Sequence, residues 1–331
     1  MQEGNSRHIV LSRTDSIGDV VLSLPLCNWI KEQDSSCKIT FIGTDYTQSV
    51  LEKYNLIDTV LSKDKLAKMS TSERNSLLSC DAFIHVFPDK QIAAWAKEAK
   101  AKIRVGTSHR AHHLWTCNKR VSFSRKNSML HEAQLNFNLL KPLGLKHIPK
   151  FESFHTTTSF FKVKDPENIP FSIEYKKCII LHPKSKGSAL EWPFVKYQML
   201  AKRLVEMGYT VLFTGTEKEG LSFRNDIPEH SSIYDMTGKL SLDQFICLIA
   251  QCKALVACST GPYHLAGLLG IRAIGLFSMR RPIFPIRWKA IGTKAEALVF
   301  DPNCAKCASG KHCTCIEHIE TEVVLNKIQN A

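Results

Sequence analysis

Short apolar runs alternate with amphipathic stretches along this chain, and the alternation predicts parallel α/β units. Apolar runs that predict strands in the first half are 9–12, 38–42, 59–61, 82–86 and 103–105. In the second half they are 178–182, 210–214, 232–234, 254–258 and 273–277. Helices are predicted at 18–31, 47–54, 91–100, 132–143, 193–207, 242–251, 262–269 and 317–328. Pro25 predicts that the first helix is kinked or in two pieces.

The periodic pattern is lost between residues 145 and 176, a stretch with prolines and a run of Thr and Ser. We therefore predict a first domain at 1–150, a linker with an edge strand at 151–176, and a second domain at 177–331. Two successive doubly wound halves predict an α/β fold of two Rossmann-like domains facing across a cleft. Ligands in such sheets bind beyond the carboxyl ends of the strands.

The first candidate site is the polar turn that follows strand 9–12 and contains Arg13, Asp15 and Asp19. The two carboxylates could simply cap the helix that follows. They also lie beside a cation at the carboxyl end of a strand, where the cation would keep a carboxylate ionised as a general base. Both interpretations are open from the residues alone.

The second candidate site is the turn Ser259-Thr260-Gly261-Pro262, which leads from a strand into a helix. Free backbone N–H groups and the positive end of the helix dipole predict a phosphate site there, and an ordinary capped helix is the alternative. Cations that follow neighbouring strands are Lys184, Lys186, Arg280, Arg281 and Arg287. Together with the turn they could clamp a diphosphate.

Composition limits the partners and the compartment. The chain has 44 Lys and Arg against 31 Asp and Glu, a net charge of +13, and nine basic residues with one acid fall in 97–126. That stretch is either a solvated face or a surface for polyanions. With no nucleic-acid-binding motif in the sequence, no nucleic-acid partner is expected. Twelve cysteines and an N-terminus without an apolar block predict free thiols in the cytoplasm.

Over nearly its whole length the chain resembles glycosyltransferase family 9, the ADP-heptose:lipopolysaccharide heptosyltransferases. The resemblance is carried by Arg13-x-Asp15-x-Ile17-Gly18-Asp19-Val20, Pro183 with Glu191-Trp192-Pro193, Ser259-Thr260-Gly261-Pro262-x-His264-Leu265-Ala266, His131-Glu132 and the late cysteines. It implies a GT-B fold with the acceptor on the first domain and the sugar nucleotide on the second. It also implies inversion at the anomeric carbon with no obligatory metal and no required cofactor.

Residue by residue, the resemblance makes Asp19 the catalytic base and Arg13 a basic position beside it. Thr260 and Gly261 match the turn that binds the donor phosphates, and His264 lies in the first turn of the helix that follows. Two positions depart from the family pattern. Leu190 stands where many members have Lys, for which Lys184 or Lys186 could substitute, and Ser259 stands where many have an Asp that contacts the heptose.

The resemblance also implies an acceptor that carries carboxylates and phosphates on a lipid anchor. We therefore expect the basic stretch, with Arg120, Arg125 and Lys126, to hold this acceptor or the anionic inner face of the cytoplasmic membrane. The protein would then be a peripheral membrane protein.

Four cysteines near the end of the chain, Cys304, Cys307, Cys313 and Cys315, could bind zinc or an iron–sulfur cluster. Their spacing is not that of a standard zinc ribbon or finger. The interpretation we favour from the sequence is a reduced, structural loop without metal.

The predicted function is inverting transfer of heptose from ADP-heptose to an anionic lipopolysaccharide core acceptor, with Asp19 as general base. One alternative keeps the chemistry and changes the nucleotide-sugar donor, which Ser259 leaves open. The other alternative is a non-catalytic sugar-nucleotide-binding paralogue, in which Leu190 and Ser259 would be signs that the catalytic site has decayed.

Overall fold

The structure is a computed structural model that describes residues 6–126, 128–163, 169, 173–311 and 313–329. The chain divides into two compact units, residues 1–162 and 163–331. Among the described residues each unit contains one six-stranded sheet. Every pair of neighbouring strands in both sheets is parallel.

The strands of the first unit lie in the order β3-β2-β1-β4-β5-β6. Their bounds are β1 (His8–Ser12), β2 (Lys38–Gly43), β3 (Thr59–Ser62), β4 (Ala82–His85), β5 (Ile103–Thr107) and β6 (Lys119–Val121). The central strands are almost fully buried, because a parallel sheet is covered on both faces. The strand order reverses between β1 and β4, so the ligand-binding crevice of this sheet is expected beyond their carboxyl ends.

Helices of the first unit connect these strands. They are α1 (Ile17–Val21), α2 (Pro25–Gln33), α3 (Gln48–Leu51), α4 (Lys63–Leu66), α5 (Thr71–Leu78), α6 (Lys90–Glu98), α7 (His113–Thr116) and α8 (Glu132–Phe137). Short 3₁₀ helices lie at Asp45–Thr47 and Asn138–Leu143. Pro25 begins α2, which confirms that the helix predicted at 18–31 is in two pieces.

The segment after residue 150 corrects one prediction. In place of a linker with an edge strand, the chain forms the 3₁₀ helix Phe151–Phe160 within the first unit. Phe151 and Phe154 share one face because three residues complete a 3₁₀ turn. The Phe154 ring is buried with its centroid 5.0 Å from that of Phe137. Residues 164–168 and 170–172 of the predicted linker lie outside the described residues.

The second unit repeats the topology of the first, with the strand order β12-β11-β10-β7-β8-β9. The strands are β7 (Cys178–His182), β8 (Thr210–Phe213), β9 (Ile233–Asp235), β10 (Ala254–Cys258), β11 (Arg272–Leu276) and β12 (Ala295–Leu298). Here the order reverses between β7 and β10. Those two strands therefore define the second crevice.

Helices of the second unit include long ones that cover the sheet and short ones near the end of the chain. They are α9 (Phe194–Glu206), α10 (Glu217–Gly220), α11 (Leu242–Gln251), α12 (Gly261–Leu268), α13 (Pro285–Trp288), α14 (Ala305–Ala308) and α15 (Thr321–Gln329). The 3₁₀ helices are Tyr175–Lys177, Arg224–Asp226 and Cys315–His318. Over the part of the chain that the structure describes, no helix combines the length and apolarity that crossing a bilayer requires.

Candidate active site

A buried guanidinium organises the turn after β1. The Arg13 side chain is only 5% exposed, and its Nε donates to Asp15 Oδ1 at 2.7 Å while its Nη2 contacts Asp19 Oδ1. Ser16, the N-cap residue of α1, makes no side-chain cap, and its hydroxyl donates to Asp19 Oδ2 at 2.5 Å. Asp19 therefore faces a cation and a hydroxyl at the carboxyl end of β1.

The charges around Arg13 shift the pKa values of the groups in this network. Burial alone would lower the pKa of Arg13, but the charges of Asp19, Asp15 and Glu132 raise that pKa above its ordinary value. Burial raises the pKa of Asp15, and Arg13 opposes this effect while the charge of Asp19 adds to it. The Asp19 side chain is 17% exposed and can still be reached from solvent.

A third carboxylate reaches the same guanidinium from far along the chain. Glu132 begins α8, is 1% exposed, and has its Oε1 3.8 Å from Arg13 Nη1 and 2.9 Å from Arg125 Nε. Asn136, one helical turn later, accepts from Arg13 at 3.4 Å and from Arg125 at 3.1 Å. Arg125, which the sequence predicts as an acceptor residue, lies in the Arg13 network with its side chain 31% exposed. The role of Glu132 was missed, although the pair His131-Glu132 was the available signal.

Three histidines, His85, His112 and His113, form a group that the sequence did not predict. His85 ends β4, where its Nδ1 lies 3.5 Å from the Ser12 hydroxyl, and its ring centroid lies 5.5 Å from that of His113. Burial, together with the charges of His113 and His112, lowers the pKa of His85 to about 3. The Nε2 atoms of all three rings are buried and have no hydrogen-bond partner among the described residues.

The basic stretch divides into internal and exposed cations. Arg104 turns inward and donates to the carbonyl oxygens of Thr116 and Ala101. Arg120 and Lys126 are exposed. Further exposed cations in the stretch are Lys97, Lys100, Lys102, Arg110 and Lys119. Two large apolar side chains of α7 are exposed in the same stretch, Trp115 at 68% and Leu114 at 52%.

In the second unit, the turn after β10 leads into α12 without a side-chain cap. Thr260 is the N-cap residue in extended conformation, yet its hydroxyl donates to the Cys258 carbonyl at 3.3 Å and does not cap the helix. Gly261 and Pro262 then begin α12. The capped-helix interpretation is therefore not supported, and the first N–H groups of α12 supply the partial positive charge that favours an anion.

The loop after β7 is held by one carboxylate. Glu191 accepts from Lys184 Nζ at 3.0 Å and from the Ser185 backbone N–H at 2.8 Å. Lys186 and Gly187 have positive φ angles of 51° and 79°, so the loop makes a tight reversal between these contacts. Lys184 is thus held in the loop by an ion pair.

A cavity of about 210 Å³ joins the two loops of this unit. Ser259 and Leu190, the two positions that depart from the family pattern, both line it, together with Arg280 and Arg281. The lining of the cavity thus includes Ser259, directly before Thr260 in the turn, and two arginines.

The remaining predicted donor residues are buried. His264 is 2% exposed in α12, with its ring centroid 6.4 Å from that of Trp288. Arg287 in α13 is 8% exposed and lies over the Trp288 ring, 5.3 Å from its centroid. His264 and Arg287 thus share Trp288 as a neighbour. The sulfur atoms of Cys304, Cys307, Cys313 and Cys315 also converge in this unit.

Solved structures resemble this chain over its full length. A glycosyl transferase of family 9 from Veillonella parvula superposes with a TM-score of 0.76 at 19% identity, covering 100% of this chain and 99% of that one. The E. coli ADP-heptose lps heptosyltransferase II gives 0.73 at 17%, covering 98% of each chain. Two parallel sheets of Rossmann order, together with these neighbours, define a protein of the GT-B fold.

Sequence comparisons specify the family. The model of glycosyltransferase family 9 (heptosyltransferase) matches residues 74–316, and the chain belongs to this family. A Haemophilus influenzae protein named as a glycosyltransferase is 27% identical over 318 residues, which is 90% of each chain. Lipopolysaccharide heptosyltransferase 2 of E. coli is 33% identical over 112 residues, 31% of this chain and 32% of the relative.

Proposed function

We propose that this glycosyltransferase moves heptose from ADP-heptose to an anionic acceptor of the lipopolysaccharide core, with inversion and without a cofactor in the transfer. Support comes from the family and from relatives described as lipopolysaccharide and ADP-heptose heptosyltransferases, one of them an E. coli heptosyltransferase solved with ADP. The observation that carries the proposal is the pairing of Asp19 with buried Arg13 at the carboxyl end of β1.

In the proposed step, the acceptor oxygen forms a bond to the anomeric carbon while the bond from that carbon to the phosphate oxygen breaks. The acceptor hydroxyl loses its proton to Asp19, and the electron pair of the broken bond leaves with ADP. Arg13 contacts the first carboxylate oxygen of Asp19 and so helps to position the base. Ser16 holds the second carboxylate oxygen and so orients the base.

Negative charge on the departing diphosphate grows during the same step, and the protein must bind it more tightly as it grows. We assign this task to the N–H groups at the start of α12, with Thr260 and Gly261 at the turn. Lys184, Lys186 and Arg287 are the cations that we assign to the diphosphate. Their location in the second unit makes that unit the donor-binding one in this proposal.

Asp19→Asn tests the base. We expect kcat to fall by about 10²–10⁴-fold, the usual contribution of a positioned general base, with donor affinity unchanged. Asp15→Asn is the matched control, because Asp15 shares Arg13 but is assigned no proton transfer, and it should lose far less turnover. Near-normal turnover in Asp19→Asn would remove Asp19 from this role.

The second candidate function is the same transfer from a donor with a different sugar, and the lining of the cavity supports it. Ser259 and Leu190 both line that cavity, so the two departures from the family pattern both change its lining. A thermal-shift panel of ADP-heptose, ADP and UDP- or GDP-hexoses distinguishes the donors, since a ligand of the native state raises the melting temperature. The largest shift with ADP-heptose supports heptose transfer, and a larger shift with another sugar nucleotide supports the second candidate. A shift with a sugar nucleotide but no turnover would favour the non-catalytic sugar-nucleotide-binding paralogue, and a panel without any shift would contradict a donor site in this unit.

The acceptor surface in this proposal is the exposed part of the basic stretch, at the inner face of the cytoplasmic membrane. Arg120 and Lys126 supply charge for phosphates, and Trp115 and Leu114 supply the apolar contact that interfacial aromatic residues make with lipid. Arg125 is left out of the test because it pairs with buried Glu132.

Vesicles with anionic lipid provide the assay. The double variant Arg120→Gln with Lys126→Gln should bind them about tenfold more weakly, and Trp115→Ala by a similar factor. Donor affinity should not change in either variant. Lys218→Gln and Leu221→Ala, which alter an exposed cation and an exposed apolar side chain of the second unit, are the controls. An equal loss of donor affinity would argue against this surface.

A further inference from the structure

Four cysteine thiols converge on one point near the end of the chain. Cys304 precedes α14 and Cys307 lies in it, while Cys313 and Cys315 lie before and at the start of the 3₁₀ helix Cys315–His318. Cys313 Sγ is 3.5 Å from Cys304 Sγ and 3.1 Å from Cys315 Sγ, and all four sulfur atoms lie within 4.8 Å of one another. Within the described ranges, no other three His, Cys, Asp or Glu ligand atoms converge in this way.

Neither disulfide bonding nor core packing explains the cluster. All four cysteines are free, and the 3.1 Å separation is far longer than the roughly 2.05 Å of a disulfide. A thiol that serves as a small apolar side chain is normally buried. The cysteines outside the cluster follow that rule, whereas Cys304 and Cys313 are only half-buried.

The backbone is folded to bring the two cysteine pairs together. After α14 the Gly310 backbone N–H donates to the Cys307 carbonyl at 3.0 Å, and that of Lys311 donates to the Lys306 carbonyl at 3.1 Å. Gly310 has a φ of 73°, a conformation that suits glycine and reverses the chain toward Cys313. The reversal makes the loop a preformed cradle for four sulfur ligands.

We propose that Cys304, Cys307, Cys313 and Cys315 bind one thiophilic divalent ion, zinc or iron, as a tetrahedral tetrathiolate centre. Bonds of about 2.3 Å in a tetrahedron place the sulfurs about 3.8 Å apart, and the separations in the structure, from 3.1 Å to the 4.8 Å limit, bracket that value. Four sulfur ligands in this geometry select zinc or iron. An iron–sulfur cluster would hold the pairs further apart, because bridging sulfides and additional irons lie between them.

The bound ion would hold in place the segment that follows Cys315, next to the cavity of the second unit. Ile316, directly after Cys315, lines the same cavity as Ser259. The carbonyl oxygen of Ile319 accepts from Trp192 Nε1 at 3.0 Å and from Lys196 Nζ at 2.9 Å. The ion is thus a structural one with no part in the glycosyl transfer, and the inference does not depend on the proposed function.

Elemental analysis of the full chain, purified under reducing conditions without chelator, is the first test. We expect close to one zinc or one iron per chain, and the element found identifies the ion. Cobalt(II) exchanged into the same protein should give the intense visible and sulfur-to-metal charge-transfer bands of a tetrahedral tetrathiolate. A metal content far below one per chain, together with no cobalt spectrum, would overturn the proposal.

Variants locate the site. Cys304→Ser and Cys313→Ser change half-buried ligands, so their folding can be verified by circular dichroism, and both should lose most of the metal. Their melting temperature should fall by about 5–10 °C, because binding to the native state stabilises it. Cys80→Ser, a buried cysteine outside the cluster, is the control and should keep the full metal content. Full metal content in Cys313→Ser would contradict the assignment.

Discussion

Replacing Arg13 by Met should expose how strongly the first unit depends on one buried charge. The guanidinium is the shared partner of Asp15, Asp19 and Glu132, and within the described part of the chain only Glu132 pairs with a second cation, Arg125. Three carboxylates and two guanidinium groups give the cluster a net charge of −1, and the substitution changes it to −2. Because methionine keeps much of the side-chain volume, the variant measures the loss of the charge and not the creation of a cavity.

The expected cost follows from burial. Breaking a buried ion pair by removing one partner costs about 3–5 kcal/mol, since the remaining charge is left without compensation. The cost should depend on pH, because the uncompensated carboxylates will have pKa values in the folded variant above those in the unfolded chain. Such groups bind more protons when folded, so relative to the native protein the variant gains stability as the pH falls.

Urea unfolding at pH 7 and pH 5 measures both effects. We expect the free energy of unfolding of Arg13→Met to be lower by about 3–5 kcal/mol at pH 7 and by clearly less at pH 5. Lys31→Met breaks the more exposed pair with Asp58 and should cost about 0–1 kcal/mol. A cost for Arg13→Met that is equally small, and the same at both pH values, would refute the shared counter-charge.

Three further predictions concern neighbouring contacts. Because the pKa of His85 is about 3 in the folded chain and near 6.5 when unfolded, this group should lower the free energy of unfolding by about 2 kcal/mol between pH 7 and pH 5. In urea unfolding, His85→Gln should lose that part of the pH dependence, and an unchanged pH dependence would contradict the prediction. Gly106→Ala places a Cβ 2.5 Å from His113 Nδ1 and should lower the free energy of unfolding by about 1–3 kcal/mol in the same assay. An unchanged free energy of unfolding would mean that His113 moves aside. Glu191→Ala removes the acceptor of Lys184 and of the Ser185 N–H and should weaken donor binding about tenfold, measured by calorimetry, while Glu191→Gln should weaken it less. Equal affinity in the unchanged protein and both variants would exclude Glu191 from shaping the donor loop.

The elements that sequence could predict are those with a strong burial signal. Central parallel strands such as β1 and β10 are continuous apolar runs, because both faces of the sheet are covered. The last strand of each sheet was missed for the opposite reason. β6 is Lys-Arg-Val with only Val121 buried, and β12 contains Glu296 among alanines, so neither has a run of apolar residues to detect. Helix α5 was missed similarly, since it buries only Arg74 and Leu78.

The candidate site was predictable where its residues are close in sequence. Arg13 and Asp19 are six residues apart, and one turn brings them together. The contact of Arg13 with Glu132 and Asn136 depends on how α8 packs against α2 near the turn after β1, which no local spacing reveals. Pairing of Lys184 with Glu191 spans a loop with two positive φ angles, a conformation that the residue types alone do not indicate.

The division of charge between the two units gives the strongest physical reason to assign them different tasks. Both sheets have the same strand order, so topology alone would allow either unit to hold either substrate. In the first unit the turn at the switch point gathers carboxylates around Arg13, an arrangement that can accept a proton and would repel a diphosphate. In the second unit the turn on the other strand of the switch point, after β10, has an uncapped helix start, and Arg280 and Arg281 line the cavity beside Ser259 of that turn, an arrangement that attracts a diphosphate. Loss of Arg13 should therefore impair acceptor activation and leave the binding of nucleotide unchanged, which separates the two tasks in one protein.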